Sequence, residues 1–327
     1  MFETPETRFA VAAVREACAL IRDVQQSLVT QTLTKSDRSP VTVADFAAQA
    51  IIAQRFARER PDDVLVGEED AGDLRSAERR STLEQVTRFV GARVPGATGD
   101  DVCTWIDRGR AEPTRRFWTL DPVDGTKGFL RGEQYAVALA LIEEGRVRAG
   151  VLGCPNLSAD GRSDIGGTGC VVAAERGRGT FAAALGSEDW TRLRVSDRRV
   201  AKDARLLRSV ESGHTNVDEM GELVVALGGT PEPVLMDSQA KYAVLAAGCG
   251  ELLFRLLSSA KPDYRERIWD QAAGAIVVEE AGGTVTDLDG KTLDFSRGRT
   301  LAANRGVVAS NGTLHGAALA ALARIGG

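Results

Sequence analysis

The stretch RFWTLDPVDGTKGFLRGEQYAVALALIEEG, residues 116–145, places two carboxylates at the end of an apolar run. RFWTL and YAVALALIEEG have the short apolar runs that are typical of buried strands, and GTKGFL predicts the start of a helix. Asp121 and Asp124 flank a proline, which stiffens the turn and donates no backbone hydrogen bond. Gly125 permits a close backbone approach, and Thr126 adds a hydroxyl. The stretch therefore predicts a strand end at which carboxylates, a hydroxyl and a helix start meet.

The same turn predicts a site for a cation and a phosphate. Asp121 and Asp124 can face one side of the turn, and the carbonyl of Val123 between them is a further oxygen within reach. The free N–H groups at the start of the following helix attract a phosphate.

Carboxylates also stand at the ends of other apolar segments. Asp45 begins a helix, Glu68 and Glu69 follow VLVG, and Asp270 lies in IWDQAAG. Acids in a first helical turn often interact only with the helix dipole, and this alternative stays open for Asp45 and Asp270. Two acids at the end of a buried strand repel each other unless a cation or a proton relieves them.

The types of donor indicate which ion would bind. All the candidate ligands are oxygens, and the chain has two histidines, His214 and His315. Hard oxygen donors suit Mg²⁺ or Ca²⁺ and disfavour zinc and copper. Mg²⁺ held by a few carboxylates is the usual arrangement for phosphate chemistry, so we predict Mg²⁺.

Composition excludes several classes of protein. The chain has 327 residues, enough for two domains of ~150 residues each, and 43% are hydrophobic. No run approaches the ~20 apolar residues of a membrane span. Basic residues are interleaved with acids at a net charge of −5, which disfavours binding of a nucleic-acid polymer. Five scattered cysteines argue against a disulfide framework and favour a reducing cytoplasm.

Hydrophobic periodicity predicts two differently organised parts. Residues 1–197 are expected to form an α+β domain with most of the metal ligands. It has helices over 7–31 and from near Ala44 to Pro61, and hairpins turning at 144–145 and Gly177. Residues 71–81 and 94–101 have the character of loops, and 71–115 are otherwise unassigned.

Residues 198–327 are expected to form an α/β domain with the nucleotide-side residues and one metal ligand. The predicted elements in this part are strands over 204–210 and 250–257, helices over 237–248 and 268–283, and a hairpin over 284–295 turning at 289–290. Asp237 or Ser238 is the expected cap of the first of these helices.

The motifs resemble those of a known family. LDPVDGTKGFLRGEQYAVALALIEEG, GEED and WDQAAGAIVVEEAGG are similar to signatures of the lithium-sensitive, Mg²⁺-dependent phosphomonoesterases related to inositol monophosphatase. SPVTVADFAAQAII, CPNL and MDSQAKYAVLAAG resemble the 3'(2'),5'-bisphosphate nucleotidase branch. The resemblance implies a layered α-β-α-β-α fold with the site between two sub-domains. It also implies removal of the 3'-phosphate of adenosine 3',5'-bisphosphate to give AMP, with 3'-phosphoadenylyl sulfate as a further substrate.

Roles carry over from the family by position. The resemblance implies that two or three Mg²⁺ ions are held by Glu68, Asp121, the Val123 carbonyl, Asp124 and Asp270. Asp45 and Thr126 would orient the attacking water. The implied substrate-binding residues are Thr126, His214, Ser238, Lys241, Arg255 and Asp270.

Each substrate-side residue also has a plainer interpretation. His214 could be a solvent-exposed loop histidine, Ser238 a helix cap, and Lys241 an ordinary exposed lysine. Arg255 lies in the apolar segment LLFRLL, where a charge needs a partner. Glu69 remains the alternative to Glu68 within GEED.

Two alternative functions remain open. The chain could prefer inositol polyphosphates, or it could be a non-catalytic regulator that binds nucleotide or metal. Retention of Asp45, Thr126 and the implied metal ligands disfavours a mere binder. The expected partner is a small nucleotide, with neither a nucleic-acid polymer nor a membrane, and the chain is expected to be monomeric.

Overall fold

Two β-sheets organise the computed structural model, which describes residues 2–29, 39–210, 217–229, 231–257 and 263–325. The strands of the first sheet are β1 Leu65–Gly67, β2 Arg116–Asp124, β3 Ala136–Glu143, β4 Arg146–Cys154, β5 Cys170–Glu175, β6 Gly179–Ala184 and β7 Thr191–Leu193. They follow one another in chain order across the sheet. β1 pairs with β2 in parallel, and every later neighbour is antiparallel.

The second sheet is shorter and mixed. Its strands are β8 Leu206–Arg208, β9 Val234–Leu235, β10 Leu252–Arg255, β11 Thr284–Thr286 and β12 Val307–Ser310. They are arranged in the order β11-β12-β10-β8-β9. β8 is parallel to both β9 and β10, whereas β12 is antiparallel to its two neighbours.

The helices form three layers around these sheets. They are α1 Pro5–Val24, α2 Ser39–Glu59, α3 Arg80–Gly91, α4 Gly99–Asp107, α5 Thr126–Arg131, α6 Val217–Ala226, α7 Ala240–Ala246, α8 Ala272–Glu280 and α9 His315–Arg324. α1 and α2 pack on one face of the first sheet. α7 and α8 lie between the two sheets, and α6 and α9 cover the outer face of the second sheet. The predicted α-β-α-β-α layering is confirmed.

The sequence of α8 explains its central position. Residues 272–278, AAGAIVV, are all buried, as expected for a helix that is covered on both sides. A Cβ at Gly274 would lie 2.2 Å from the Tyr242 ring, so glycine permits the close packing of α7 on α8. Through this layer the two sheets share a core. The division of the chain into domains 1–197 and 198–327 stays a prediction.

Several predicted elements differ from the structure at their ends. α1 begins after a Thr4 cap and gives way at Gln25 to a wider π turn. α2 begins at Ser39 rather than near Ala44. Asp45 therefore lies in its second turn, beyond the first turn where the helix dipole acts. Asp270, by contrast, precedes α8 and lies outside the helix that was expected to contain it.

The segment left unassigned in the sequence contains α3 and α4, after short 3₁₀ turns at 73–75 and 77–79. The predicted loop over 94–101 is wrong at its end, because α4 begins at Gly99. Thr98 caps it: its hydroxyl accepts from Asp101 N at 3.2 Å, and the Asp101 carboxylate accepts from Thr98 N at 2.9 Å. α3 nevertheless carries a usable signal, because Leu83, Val86 and Val90 recur at helical spacing and pack on the core.

The predicted hairpin at 289–290 is also wrong, although the turn itself forms. β11 pairs with β12, and residues 291–295 form no strand. The Asp287 carboxylate accepts hydrogen bonds from Asp289 N, Lys291 N and the Asn304 amide, which bind the returning chain as a loop. By contrast, the hairpins turning at 144–145 and Gly177 are confirmed.

No helix in the parts of the chain that the structure describes combines the length and apolar character of a membrane span.

Candidate active site

A cleft of about 380 Å³ opens where the end of β2 faces the second sheet. The predicted site residues that line it are Glu68, Asp121, Val123, Asp124, Thr126, Ser238, Lys241, Arg255 and Asp270. They are drawn from both halves of the chain. His214 lies outside the described residues.

A bulge in β2 places both strand-end aspartates on one side. Asp121 pairs with Ala138 and Asp124 with Ala136, so three steps along β2 match two along β3. Residues three apart in a regular strand face opposite sides, and one extra residue restores the same side. The proline in the bulge needs no partner for a missing N–H. The expectation that Asp121 and Asp124 face one side therefore has a structural cause.

Gly125 brings the two halves of the site into contact. Its φ of 86° is in the left-handed region that favours glycine. A Cβ there would lie 2.8 Å from the Cβ of Ser238 and 3.2 Å from the Gln134 carbonyl. α5 begins at Thr126, whose side chain is exposed at the cleft.

The carboxylates of the cleft raise one another's pKa. Asp121 is buried, and its pKa is raised, first by burial and then by the neighbouring charges of Glu68, Asp124, Asp270 and Asp45. Glu68 is exposed as a whole residue, but its pKa is raised, first by burial of the carboxyl group and then by Asp124, while an interaction with Asp121 lowers it. Burial and Asp124 raise the pKa of Asp270, which Arg255 partly offsets. The cleft therefore holds more negative charge than the neighbouring cations offset.

Asp45 approaches this group from α2. Its pKa is raised by burial, then by Glu69 and Glu68. One turn further along the helix, the buried Gln49 donates to the Glu69 carbonyl at 2.5 Å and accepts from Glu69 N at 3.1 Å. Gln49 therefore fixes α2 against the segment that carries both glutamates. Glu68, unlike Glu69, lines the cleft, which favours it within GEED.

The donor atoms fit a hard divalent cation. The Oδ1 atom of Asp121 is buried and has no hydrogen-bond partner, as an atom reserved for a cation would be. Within the described ranges, no three or more His, Cys, Asp and Glu side chains are arranged as a ready ligand set. The carboxylates would therefore have to draw closer together around an ion.

Gln239 connects the two halves of the cleft. Its backbone N donates to Asp124 at 2.6 Å, and its amide donates to the Trp269 carbonyl at 2.9 Å and accepts from Gly274 N at 3.1 Å. It occupies the N-cap position of α7, so the cap expected at Asp237 or Ser238 lies one or two residues too early. The Ser238 hydroxyl nevertheless accepts from the Ala240 N at 3.1 Å. Sequence reasoning gave Gln239 no role.

Asp237 interacts across the cleft instead of capping α7. It accepts a hydrogen bond from Val210 N and pairs with Arg131 at the end of α5. This contact ties the loop before α7 to the first half of the chain.

Lys241 is not the exposed lysine of the plainer interpretation. Only 5% of the residue is exposed, and Nζ donates to the carbonyls of Ser238 at 2.9 Å and Met236 at 3.2 Å. Burial lowers its pKa to about 8, although the nearby Asp124 favours the charged form. Lys241 thus supports its own loop while adding positive charge to the cleft.

Arg255 has the partner that its apolar strand requires. Its Nη2 lies 3.0 Å from the buried Glu266 carboxylate, which also accepts from the Gln271 amide at 2.9 Å. Nε of Arg255 is buried and has no partner. Glu266 thus links Arg255 to Gln271, the residue beside Asp270. Gln271 in turn accepts a hydrogen bond from the Tyr242 hydroxyl.

Sequence reasoning missed several residues that hold the site together. A glutamine within AAQAII was a usable signal for Gln49, because a buried amide needs partners. Gln239 and Arg299 act largely through contacts with distant parts of the chain, which no local pattern reveals. Glu266, in the segment between β10 and α8, pairs with Arg255.

Comparison with known proteins identifies the family of the chain. The sequence pattern of the inositol monophosphatase family matches residues 3–326. A 3'(2'),5'-bisphosphate nucleotidase from Schizosaccharomyces pombe is 41% identical over 325 residues, covering 93% of this chain and 91% of that protein. The 3',5'-bisphosphate nucleotidase 2 of Arabidopsis thaliana is 40% identical over 323 residues, with the same two coverages.

Solved structures show the same fold at lower identity. Mycobacterium tuberculosis SuhB has a TM-score of 0.65 at 21% identity, covering 100% of this chain and 99% of its own. CysQ from Bacteroides thetaiotaomicron has a TM-score of 0.62 at 18% identity, covering 95% and 98%. With a family match along nearly its whole length and relatives at about 40% identity, the chain belongs to the inositol monophosphatase family.

Proposed function

We propose that this chain is a Mg²⁺-dependent 3'(2'),5'-bisphosphate nucleotidase that converts adenosine 3',5'-bisphosphate to AMP and phosphate. Relatives that carry this name match it along nearly their whole length. The observation that carries the proposal is the charge arrangement of the cleft, which joins a carboxylate cluster to two cations, Lys241 and Arg255. A substrate with two phosphates can present one to each. 3'-Phosphoadenylyl sulfate has a similar pair of anionic groups and is the expected second substrate.

The residues proposed to hold two or three Mg²⁺ ions are Glu68, Asp121, Asp124, Asp270 and the carbonyl of Val123. The family is one of generally metal-dependent phosphatases, and the choice of Mg²⁺ rests on the oxygen donors. Bound there, the metal would stabilise developing negative charge and acidify a water molecule.

The protein's own groups would arrange the reactants. We propose that Asp45 and the Thr126 hydroxyl orient a water for in-line attack on the 3'-phosphorus. A bond forms from the water oxygen to phosphorus while the bond from phosphorus to the 3'-oxygen breaks. The proton that the water releases balances the proton that the 3'-oxygen gains as it leaves as a hydroxyl. Ser238, Lys241 and Arg255 would hold the rest of the nucleotide, and we propose the same for His214.

Phosphate release from adenosine 3',5'-bisphosphate tests the proposal directly. We expect hydrolysis with Mg²⁺, none in EDTA, and recovery on adding Mg²⁺ but not Cu²⁺, because all the donors are hard oxygens. Full activity in EDTA contradicts the metal assignment. Faster turnover of inositol 1,4-bisphosphate moves the substrate assignment to inositol polyphosphates, and nucleotide binding without turnover identifies a regulator.

Lithium should inhibit the reaction more strongly than sodium or potassium at equal ionic strength. The family resemblance motivates this expectation, with Li⁺ competing at one of the proposed magnesium positions. The measurement is the initial rate in matched chloride salts at fixed Mg²⁺. Equal inhibition by all three salts would leave only general screening as the cause.

A further inference from the structure

Arg299 joins the two segments that carry Glu68 and Asp270. Its guanidinium donates to the carbonyls of Gly67 at 2.5 Å and Ala111 at 3.1 Å, both in the first half of the chain. The same group lies 5.0 Å from the centroid of the Trp269 ring. Gly67 immediately precedes Glu68, and Trp269 immediately precedes Asp270. One side chain therefore contacts the neighbours of two carboxylates that lie on opposite parts of the fold.

Backbone hydrogen bonds hold the segment around Glu68 in place. Gly67 N donates to the Gly109 carbonyl at 2.8 Å, and Glu68 N donates to the Leu120 carbonyl at 3.1 Å. Arg299 also reaches the Gly109 carbonyl at 3.4 Å. A shift of the guanidinium would thus move the end of β1 relative to Trp269, and with it Glu68 relative to Asp270.

Only arginine can make this set of contacts at once. Its planar guanidinium supplies several N–H donors in fixed directions and can also stack on an aromatic ring. Lysine offers a single charged nitrogen and cannot reproduce both the fork and the stacking. The contact therefore depends on shape, and not on charge alone.

We propose that Arg299 is a positioning residue that sets the spacing between Glu68 and Asp270, and thereby the affinity of the cleft for a divalent cation. The inference rests on the proposed function, because it assumes that both carboxylates bind the ion. It does not place Arg299 in contact with substrate or metal.

The test compares Arg299→Met and Arg299→Lys with Arg297→Met. Arg297 lies in the same loop and pairs with Asp294 at the surface, so its loss controls for removing a nearby positive charge. Mg²⁺ binding is measured by calorimetry without substrate, and half-saturating Mg²⁺ is measured from phosphate release.

We expect Arg299→Met to weaken Mg²⁺ binding about ten- to a hundredfold, as losses of residues that orient metal ligands do. At saturating Mg²⁺, kcat should stay within about threefold of wild type, since the reacting groups are intact. Arg299→Lys should recover only part of the affinity, and Arg297→Met should change nothing.

Unchanged Mg²⁺ affinity in Arg299→Met would overturn the proposal. If only the Tm is lowered, Arg299 stabilises the fold without affecting the metal site. If that variant does not fold, Arg299→Lys decides by the same calorimetry. Should the protein hydrolyse no bisphosphate, the proposed function fails, but calorimetric Mg²⁺ binding still shows whether Arg299 sets the affinity.

Discussion

Asp121→Asn should reduce Mg²⁺-dependent phosphate release by at least about a hundredfold while leaving the protein folded. Losing a residue that only orients a metal ligand costs about ten- to a hundredfold, and loss of a direct ligand should cost no less. Asp121 is 2% exposed and has the raised pKa described above, first because it is buried. Its Oδ1 atom has no hydrogen-bond partner. An amide of the same size removes the charge that would attract the ion.

Thermal unfolding separates this loss of function from a loss of structure. In EDTA, Asp121→Asn should unfold at or above the wild-type temperature, because it relieves repulsion among buried carboxylates. Mg²⁺ should raise the Tm of wild type, since a ligand that binds only the folded state stabilises it. The variant should lose that increase.

Asp189→Asn is the matched control for the same chemical change. Asp189 is exposed and its carboxylate accepts a hydrogen bond from the Ser187 hydroxyl, so both activity and Tm should match wild type. Retained activity in Asp121→Asn would exclude Asp121 from the metal site. A Tm in EDTA lowered by about 4 °C or more, roughly 2–3 kcal/mol for a chain of 327 residues, would give Asp121 a structural role instead.

The strand end at Asp121 and Asp124 was predictable because its determinants are local. An apolar run, a proline, a glycine and a hydroxyl within a few residues predicted a strand end, a stiff turn and the start of a helix, whereas the bulge in β2 was not predicted. The alternating strands and helices after residue 195 likewise predicted the second sheet. The α-β-α-β-α order came from the family resemblance, because packing between layers leaves little trace in any single segment.

The contacts that align the site were not predictable in the same way. Arg299 lies 232 residues from Gly67, and it bonds to a backbone carbonyl, which any residue could provide. The backbone N of Gln239 donates to Asp124, so its role depends on where the loop lies and only partly on its side chain. α3 was missed although Leu83, Val86 and Val90 recur at helical spacing, so a local pattern was present there. The other failures come from tertiary contacts that override or replace a local pattern.

The second large effect concerns the cations of the cleft. Arg255→Gln should reduce kcat/KM for adenosine 3',5'-bisphosphate about ten- to a hundredfold, since a hydrogen bond to a charged group contributes roughly 1.5–3 kcal/mol. Adenosine 3'-monophosphate differs only in lacking the 5'-phosphate. Its kcat/KM should stay within about threefold of wild type, because it never used that contact. Asp121→Asn should lower both values alike.

Two further variants control for destabilisation of the protein and for the loss of a positive charge. Arg255→Gln leaves Glu266 buried without its ionic partner, which is itself destabilising. The double variant Arg255→Gln with Glu266→Gln restores a neutral pair, so its Tm should recover while the substrate discrimination stays lost. Arg305→Gln removes a surface arginine that pairs with Asp289, and it should leave both substrates unaffected.

Lys241 is a less clean probe than Arg255. Its Nζ holds the carbonyls of Met236 and Ser238, so Lys241→Ala would also loosen the loop beside Asp124. Arg255 has its own ambiguity, because its charge also lowers the pKa of Asp270, which burial otherwise raises. If Arg255→Gln weakens hydrolysis of both adenosine substrates equally, Arg255 acts through Asp270 and the metal site. The assignment of Arg255 to the second phosphate would then be wrong, whereas a loss confined to the bisphosphate supports it.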